Sequence, residues 1–497
     1  MTSFEYFTRN IGFNEYPFST YTTENERGKE NELFIPPSDY SPIIQGFNQG
    51  LSTILIGNRG TGKTAILLDF ERNLNRENSI FCTVDDFSSL PKSFKEIEFY
   101  KFLISKISIT LFEVLVTETK RLKKLDQADK VLLSYLLKFF VPSVSKRLLK
   151  EKIEKLQLSS FKRLGRRTFN YFRGVLNWGA TVGVNVVDQY IATHFKGLPS
   201  LESEVSIKDF FPELPLKVDE TFNDLEVGFQ LLNEVLNLIS KLGYERTVIL
   251  FDKLDEDNRF SDNGEEIANF VKPILTDNKL LLAESLQLVV SMWSIPFTYL
   301  REYVRTQKHF CPQLNWHKSD LERVLNKRLQ IYSKGEISNY KSIFTDDFNT
   351  DWENKIFELA NNNPRDLWHI FDKMMRNQYM INPSSSKIEV SSLNSSFEDF
   401  VTNFNYFEYY PRKNNARANT MDFYSYTAHL LKLNNTTFTR NQLNEQAKTG
   451  GSTQNYVVGM ERIGLVEKIS QDGGASRYRI KDPKVKYALE NNIKIEK

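Results

Sequence analysis

The chain has 497 residues, 40% of them hydrophobic, so it is long enough for two or three domains with packed cores. Its 65 basic and 63 acidic residues give a formal net charge of +2, which favours neither a nucleic acid nor a membrane. The two cysteines, Cys82 and Cys311, exclude a disulfide scaffold, and the five histidines do not have metal-ligand spacing. Because the first residues lack a charged start followed by an apolar core, we predict no signal peptide and expect a cytoplasmic protein.

The first chemical motif follows a short apolar strand at residues 52–56. The sequence GNRGTGKT fills every fixed position of the G-x-x-x-x-G-K-T phosphate-binding loop and leads directly into a helix. Its glycines allow backbone N–H groups to point at a phosphate, Lys63 would reach the β- and γ-phosphates, and the Thr64 hydroxyl would bind Mg²⁺. We therefore predict that ATP and Mg²⁺ bind here, with the nucleotide held by Gly57, Asn58, Arg59, Gly60, Thr61, Gly62, Lys63 and Thr64.

A second strand must supply an acidic metal ligand, and the sequence TVILFDKLDE at residues 247–256 meets this need. Asp252 stands at the carboxyl end of the strand, where open α/β sheets bind ligands, so we predict that it shares the Mg²⁺ with Thr64. A carboxylate one step further along can orient or polarise the attacking water. We favour Glu256 over Asp255 as the catalytic group, because its longer side chain can reach a water in line with the γ-phosphate.

Polar and basic candidates follow the next strand, predicted at residues 286–293. Ser291 or Ser294 could lie beside the γ-phosphate, although a plain core strand explains both serines as well. Arg301 and Arg305 could act as arginine fingers across a subunit boundary of an ATP-dependent homo-oligomer, or form an exposed helical face.

The motifs GNRGTGKT, ILFDKLDE and NNPRDL together resemble prokaryotic P-loop ATPases of the AAA+ and STAND types, including origin-recognition and NACHT-like relatives. The resemblance implies an α/β P-loop NTPase core with a large helical insertion, a helical lid and a C-terminal winged helix. It implies that Arg365 acts catalytically by sensing the γ-phosphate from the lid, with Asn363 in place of the usual glycine. It also suggests that Tyr16 and Phe18 cover the adenine, and that the setting is prokaryotic genome maintenance or antiphage defence.

An insertion is predicted before Thr247, because some 160 residues separate it from the strand at 79–86, far more than a crossover needs. Residues 120–173 contain 16 Lys or Arg against 4 Asp or Glu, with aromatic residues interleaved. A nucleic acid, an acidic protein surface and a membrane remain alternative partners. The membrane alternative rests on residues 175–187 and on KAP-type ATPases, but this stretch is too short to span a bilayer, so we predict no spanning segment.

The C-terminal residues have the pattern of a winged helix-turn-helix, with two short helices around Gly450 and Gly451 and then a two-stranded wing. Residues 412–497 carry 15 basic and 8 acidic residues. Contact with nucleic acid is one prediction and a protein-interaction module is the alternative. The candidate nucleic-acid contacts are Arg462 on the second helix and Arg477, Arg479 and Lys481 on the wing.

These patterns together predict an ATPase that acts as a switch or motor coupled to a nucleic acid or to a partner protein. One alternative is a nucleotide-gated DNA-binding regulator with little turnover, and another is a membrane-associated, KAP-like NTPase. The predicted domains are an N-terminal segment with the first part of the NTPase core at 1–94, a mainly helical basic insertion at 95–226, the second part of the core at 227–316, a helical lid at 317–411, and the winged helix at 412–497.

Overall fold

A computed structural model describes residues 3–26, 28–74, 77–126, 225–412, 421–472 and 475–497, together with a few positions between 129 and 142. Most of the predicted insertion, including the apolar stretch 175–187 and the basic residues beyond 142, lies outside the described residues. Within the part of the chain that the structure describes, none of the helices has the length and apolar character needed to cross a membrane.

The centre of the N-terminal half is a parallel sheet with the spatial order β1-β4-β3-β2. Its strands β3 and β4 are buried almost throughout, as expected when helices cover both faces of a parallel sheet. Because all four strands run in the same direction, their carboxyl ends lie at one edge. The strands are β1 (Thr53–Gly57), β2 (Ser79–Val84), β3 (Arg246–Phe251) and β4 (Leu286–Trp293).

Helices pack on both faces of this sheet and divide its core into two hydrophobic clusters. On one face, Phe47 of α3 stacks on Phe70 of α4 with ring centroids 4.2 Å apart. The other face carries α5, α6 and α7, and α5 alone buries twelve residues. The helices of this half are α1 (Ser3–Ile11), α2 (Glu30–Leu33), α3 (Tyr40–Asn48), α4 (Lys63–Asn73), α5 (Glu96–Thr117), α6 (Leu225–Lys241), α7 (Gly264–Thr276), α8 (Asn278–Leu281) and α9 (Ser294–Leu300).

The outer edge of β1 is covered by the extended segment 310–313, which forms parallel bridges to it at Thr53 and Ile56. Ile54 N–H donates to the Phe310 carbonyl at 2.9 Å, and Leu314 N–H donates to the Ile56 carbonyl at 2.8 Å. The backbone groups of this edge are therefore paired within the chain.

The C-terminal half is mainly helical and ends with an antiparallel sheet of order β5-β7-β6. Several of its helices begin with a polar N-cap residue. In the helix Pro364–Ile381, the Asn363 side chain accepts a hydrogen bond from Arg365 N–H, and Pro364 occupies the first turn. The elements are α10 (Lys318–Tyr332), α11 (Thr350–Leu359), α12 (Pro364–Ile381), α13 (Leu393–Thr402), α14 (Phe423–Leu430), β5 (Thr437–Thr439), α15 (Arg440–Ala447), α16 (Thr453–Arg462), β6 (Val466–Asp472), β7 (Ala475–Ile480) and α17 (Pro483–Glu490).

One continuous hydrophobic core joins α10–α13 to α14–α17 across the boundary predicted at residue 412. Phe7, Phe13 and Phe18 of the N-terminal segment belong to the same core, so this segment packs with the C-terminal half rather than on the sheet. All three side chains are buried there, and large aromatic side chains contribute strongly to a core.

A buried ion pair fixes the last helix to the start of α12. Lys484 Nζ lies 2.9 Å from Asp366 Oδ2, and each side chain is only 1% exposed. Burial acts to lower the pKa of Lys484, but the carboxylates of Asp366 and Asp482 outweigh it and raise this pKa above its ordinary value. Tyr409 OH donates to the second Asp366 oxygen at 2.5 Å, so both oxygens of this buried carboxylate are paired.

Candidate functional site

The phosphate-binding loop connects β1 to α4 at the carboxyl edge of the sheet. Gly60 and Gly62 have φ values of +84° and +81°, a left-handed conformation that favours glycine. A Cβ atom at Gly57 would lie 2.6 Å from Thr61 Oγ1, so the first glycine is required by close packing. The loop therefore has the tight conformation that directs N–H groups toward an anion at the start of α4.

Lys63 and Thr64 occupy the first turn of α4. Lys63 is buried, and its Nζ donates to the carbonyls of Gly57 at 3.1 Å and Asn58 at 3.0 Å. Burial lowers the pKa of Lys63, against the opposing effect of Asp255 and Asp252. The Thr64 hydroxyl donates to Asp252 Oδ2 at 2.7 Å, so the loop and the end of β3 meet at this contact.

The loop after β3 places its acidic side chains in different environments. Asp255 is buried and pairs with Arg59, whose Nε lies 2.7 Å from Asp255 Oδ2. Burial acts to lower the pKa of Arg59, but Asp255 and Asp262 outweigh it and raise this pKa. Glu256 is an exposed residue at the rim of the site, where partial burial of its carboxyl group and the charge of Asp255 raise its pKa. Of the two candidate bases, Asp255 is thus the ion-paired one.

The opposite wall of the site comes from the start of α12, some 300 residues later in the chain. Asn363 Nδ2 donates to the Arg59 carbonyl at 2.8 Å, and a Cβ atom at Gly60 would lie 2.6 Å from Asn363 Oδ1. Arg365 is 3.8 Å from Glu408, and its buried Nε has no hydrogen-bond partner in the described structure. Arg365 also lines the cavity described below, and a guanidinium in such a position can pair with an anion.

These elements surround one cavity of about 440 Å³. Its lining includes basic, hydroxyl and acidic groups, residues of the segment 21–37, and the aromatic side chains of Trp316 and Trp368. The lining therefore combines charged and polar groups with aromatic side chains, as a nucleotide requires. Its predicted site residues are Arg59, Gly60, Gly62, Lys63, Thr64, Asp252, Asp255, Glu256 and Arg365.

Tyr16 and Phe18, expected to cover the base, do not line this cavity. Phe18 is fully buried in the core of the C-terminal half, and Tyr16 donates to Asp372 Oδ1 at 2.6 Å. Tyr21, a few residues later, lines the cavity instead and stacks on His369 with centroids 3.8 Å apart. The N-terminal segment thus reaches the site with its later residues because the earlier aromatic side chains are held in the core.

Two further residues that shape the cavity were not predicted from the sequence. Trp316 Nε1 donates to the Thr61 carbonyl at 2.9 Å, a contact without a local sequence signal. Arg328 is buried and pairs with Glu26 at 2.8 Å, fastening the N-terminal segment to α10. The sequence does contain an indication that Arg328 is buried. It is a charged residue on the apolar side of an amphipathic helix, between Leu325 and Tyr332.

The other candidates near the core lie apart from the cavity lining. Ser291 is buried within β4, and its Oγ has no partner in the described structure. Ser294 Oγ donates to Asn58 Oδ1 at 2.7 Å and so contacts the phosphate-binding loop from the start of α9. Arg301 and Arg305 are exposed on the segment after α9 and do not line the cavity of their own chain.

The C-terminal candidates divide into two groups. Arg462 lies over the Tyr299 ring of α9, with its guanidinium carbon 5.8 Å from the centroid, and so faces the N-terminal half. Arg477 and Arg479 alternate with buried residues along β7 and are exposed, as is Lys481 just beyond the strand. Arg479 pairs with Glu467 on the neighbouring strand.

Part of the basic segment 120–173 has a structural role. Arg121 Nη1 and Lys124 Nζ each donate to the Leu242 carbonyl at 3.3 Å, just beyond the end of α6. The Arg121 guanidinium also covers the Tyr244 ring at 4.1 Å. These two cations therefore satisfy carbonyls at a helix C-terminus, where positive charge is stabilising.

No family model and no curated protein matches the sequence. Among solved structures, a similar chain is that of the Aeropyrum pernix ORC2 protein, described in ADPNP and ADP complexes. It shares 8% identity at a TM-score of 0.37, over 98% of this chain and 96% of that chain. A likeness this distant does not indicate a function for this chain.

Replacing Gly60 with Ala tests the contact between the loop and α12, with Gly335→Ala as the matched control. Both glycines have φ near +90°, so each alanine should cost roughly 1–2 kcal/mol of stability. Only at Gly60 does the new methyl group meet Asn363, whereas nothing lies within 4 Å at Gly335. We expect Gly60→Ala to lose at least as much thermal stability as Gly335→Ala, and Gly60→Ala alone to lose about tenfold or more in affinity for a fluorescent ATP analogue. Equal affinities in the two variants would contradict the contact.

Proposed function

We propose that this chain binds and hydrolyses Mg-ATP as a P-loop ATPase of the AAA+ and STAND type. The observation that carries the proposal is the 2.7 Å hydrogen bond from Thr64 to Asp252, in a cavity that Lys63 also lines. A hydroxyl and a carboxylate at the start of a helix, beside a buried lysine, form the constellation that phosphoryl transfer needs.

The residues of the cavity fit the nucleotide. Loop N–H groups, Lys63 and the Arg365 side chain, which lines the cavity, would supply positive partners for phosphate oxygens. Thr64 and Asp252 offer the oxygen ligands that Mg²⁺ prefers and would hold it. When bound, Mg²⁺ neutralises negative charge on the phosphates.

Glu256 is the proposed general base, and Asp255 the structural partner of Arg59. The raised pKa of Glu256 makes its carboxylate a better proton acceptor. The negative charge of Asp255 is instead paired with Arg59, and a general base needs that charge to accept a proton. Arg365 is the proposed sensor of the γ-phosphate, contributed by α12 in the segment 317–411, which we propose to be the lid.

The C-terminal residues 412–497 are proposed to form a winged helix that reads a nucleic acid or a partner protein. The Lys484–Asp366 pair supports coupling to the site, because it fixes α17 beside Arg365. We propose a switch or motor in prokaryotic antiphage defence or genome maintenance. Arg301 and Arg305, exposed and away from their own cavity, are the proposed fingers of an ATP-dependent homo-oligomer.

Three variants test the assignment of roles. Lys63→Ala should abolish ATP hydrolysis while the fold survives, because it removes the cation of the first helical turn. Glu256→Gln should keep nucleotide binding and reduce kcat by about 10²-fold or more. Asp255→Asn, a matched change on the adjacent acidic residue, should cost at least about ten times less. Steady-state phosphate release and binding of an ATP analogue measure these effects. The reverse order for the two carboxylates would assign catalysis to Asp255.

A second candidate activity is electrostatic contact with nucleic acid through β7. Two observations favour this contact. Arg477 and Lys481 are exposed and lie on the same side of the strand as Arg479. The described structure shows an ion pair for Arg479 but none for Arg477 or Lys481. Arg121 and Lys124 are the weaker candidates, since they already bind helix-end carbonyls.

Anisotropy titrations over a salt series test this contact. If Arg477 and Lys481 each neutralise one phosphate, alanine at both should reduce the slope of log affinity against log salt by about 1.8 for duplex DNA. The control variant Lys334→Ala/Lys355→Ala removes two exposed cations of the C-terminal half and should leave the slope unchanged. Absence of saturable binding by the wild type at low salt with ATP would contradict the nucleic-acid contact.

A further inference from the structure

Arg59 occupies a variable position of the phosphate-binding loop, yet its side chain is 11% exposed and fully engaged. Nε lies 2.7 Å from Asp255 Oδ2, and Nη1 lies 2.9 Å from Asp262 Oδ1. The guanidinium carbon stands 4.4 Å from the centroid of the Trp293 ring, at the end of β4. Arg59 therefore joins the loop to the two neighbouring strand ends.

The same residue also contacts the C-terminal half. Nη1 donates to the Glu408 carbonyl at 3.4 Å, and the Arg59 carbonyl accepts the hydrogen bond from Asn363 Nδ2. Nη2 donates to the backbone carbonyl of Asp255. Only a planar group with several donors can serve two carboxylates, two carbonyls and a ring face at once, so lysine is not equivalent here.

These contacts argue against a role in holding phosphate. The guanidinium is committed to Asp255 and Asp262, and its positive charge is balanced by them. What the contacts hold is the loop from Asp252 to Asp262, which begins with the proposed metal ligand and carries Glu256. A small displacement of a catalytic group costs rate even when the substrate still binds.

We propose that Arg59 is a positioning residue: it holds the acidic loop against the phosphate-binding loop, so that hydrolysis depends on it far more than nucleotide binding does. This inference rests on the proposed ATPase function. It assigns to Arg59 a role separate from that of Lys63, which would contact the phosphates directly.

The charges around Glu256 make the pH dependence of kcat a useful readout. A purely structural role of Arg59 would not change this pH dependence. Its pKa is raised by burial, Asp255 and Asp252, and lowered by Lys253 and Arg59; Lys63 and Arg365 line the same cavity. A base must be ionised, so activity falls on the acidic side of its pKa. Removing Arg59 should move the acidic limb of the kcat profile to higher pH, and removing the charge of Asp255 should move it to lower pH.

The test compares Arg59→Met and Arg59→Lys with Arg412→Met. Arg412 is an exposed arginine that pairs with the same Asp262 at 3.5 Å, so it is a matched control. We expect Arg59→Met to lower kcat by about tenfold or more, with the affinity for an ATP analogue changed by less than about threefold. Arg59→Lys should recover part of kcat, and Arg412→Met should keep the wild-type value.

Because Arg59→Met leaves Asp255 buried without its partner, the double variant Arg59→Met/Asp255→Asn removes both charges together. It should keep the loss of kcat while the acidic limb returns toward the wild-type position. Unchanged kcat in folded Arg59→Met, or in the double variant, would overturn the proposal. Loss of analogue binding in either would make Arg59 a phosphate ligand and overturn it as well. Failure of the wild type to bind or hydrolyse ATP would instead reject the function on which the proposal rests.

Discussion

The Asn363 side chain makes the contact on which the arrangement of the site depends. Its carbonyl oxygen caps α12 through Arg365 N–H, while its amide nitrogen donates to the Arg59 carbonyl in the phosphate-binding loop. Aspartate could supply the cap but not the donor, so an amide is required for both bonds. The absence of a side chain at Gly60 permits this approach. Two parts of the chain 300 residues apart thus form one polar site.

The same helix start leads to the C-terminal residues through buried polar groups. Asn363 Nδ2 lies 3.2 Å from the Tyr409 hydroxyl, which donates to Asp366, and Asp366 pairs with Lys484. Breaking such a buried pair by removing one partner typically costs about 3–5 kcal/mol, so α12 and α17 are expected to move together. The start of α12, which carries Arg365, is thus tied to α17 by buried polar contacts.

Local patterns in the sequence were sufficient for the elements at the sheet edge. The predicted strand 286–293 matches β4 residue for residue, and Thr64 and Asp252 meet as the loop motif and the acidic strand end predict. Such local patterns do not predict which distant residues pair with each other. From its neighbours in sequence, Lys484 would be expected to be exposed to solvent, but it is buried and paired with Asp366, 118 residues away. Similarly, the number of basic residues in 120–173 does not show that Arg121 and Lys124 bind carbonyl groups at a helix end. The position of the N-terminal aromatic residues likewise depends on a core formed by distant helices.

Hydrogen–deuterium exchange of the whole chain, with and without a non-hydrolysable ATP analogue and Mg²⁺, tests most directly whether both halves form the nucleotide site. We expect the analogue to protect peptides covering 57–64 and also those covering 363–366, and we expect Lys63→Ala to abolish both effects. Protection confined to 57–64, with 363–366 exchanging as in the free protein, would contradict a site shared between the sheet and α12.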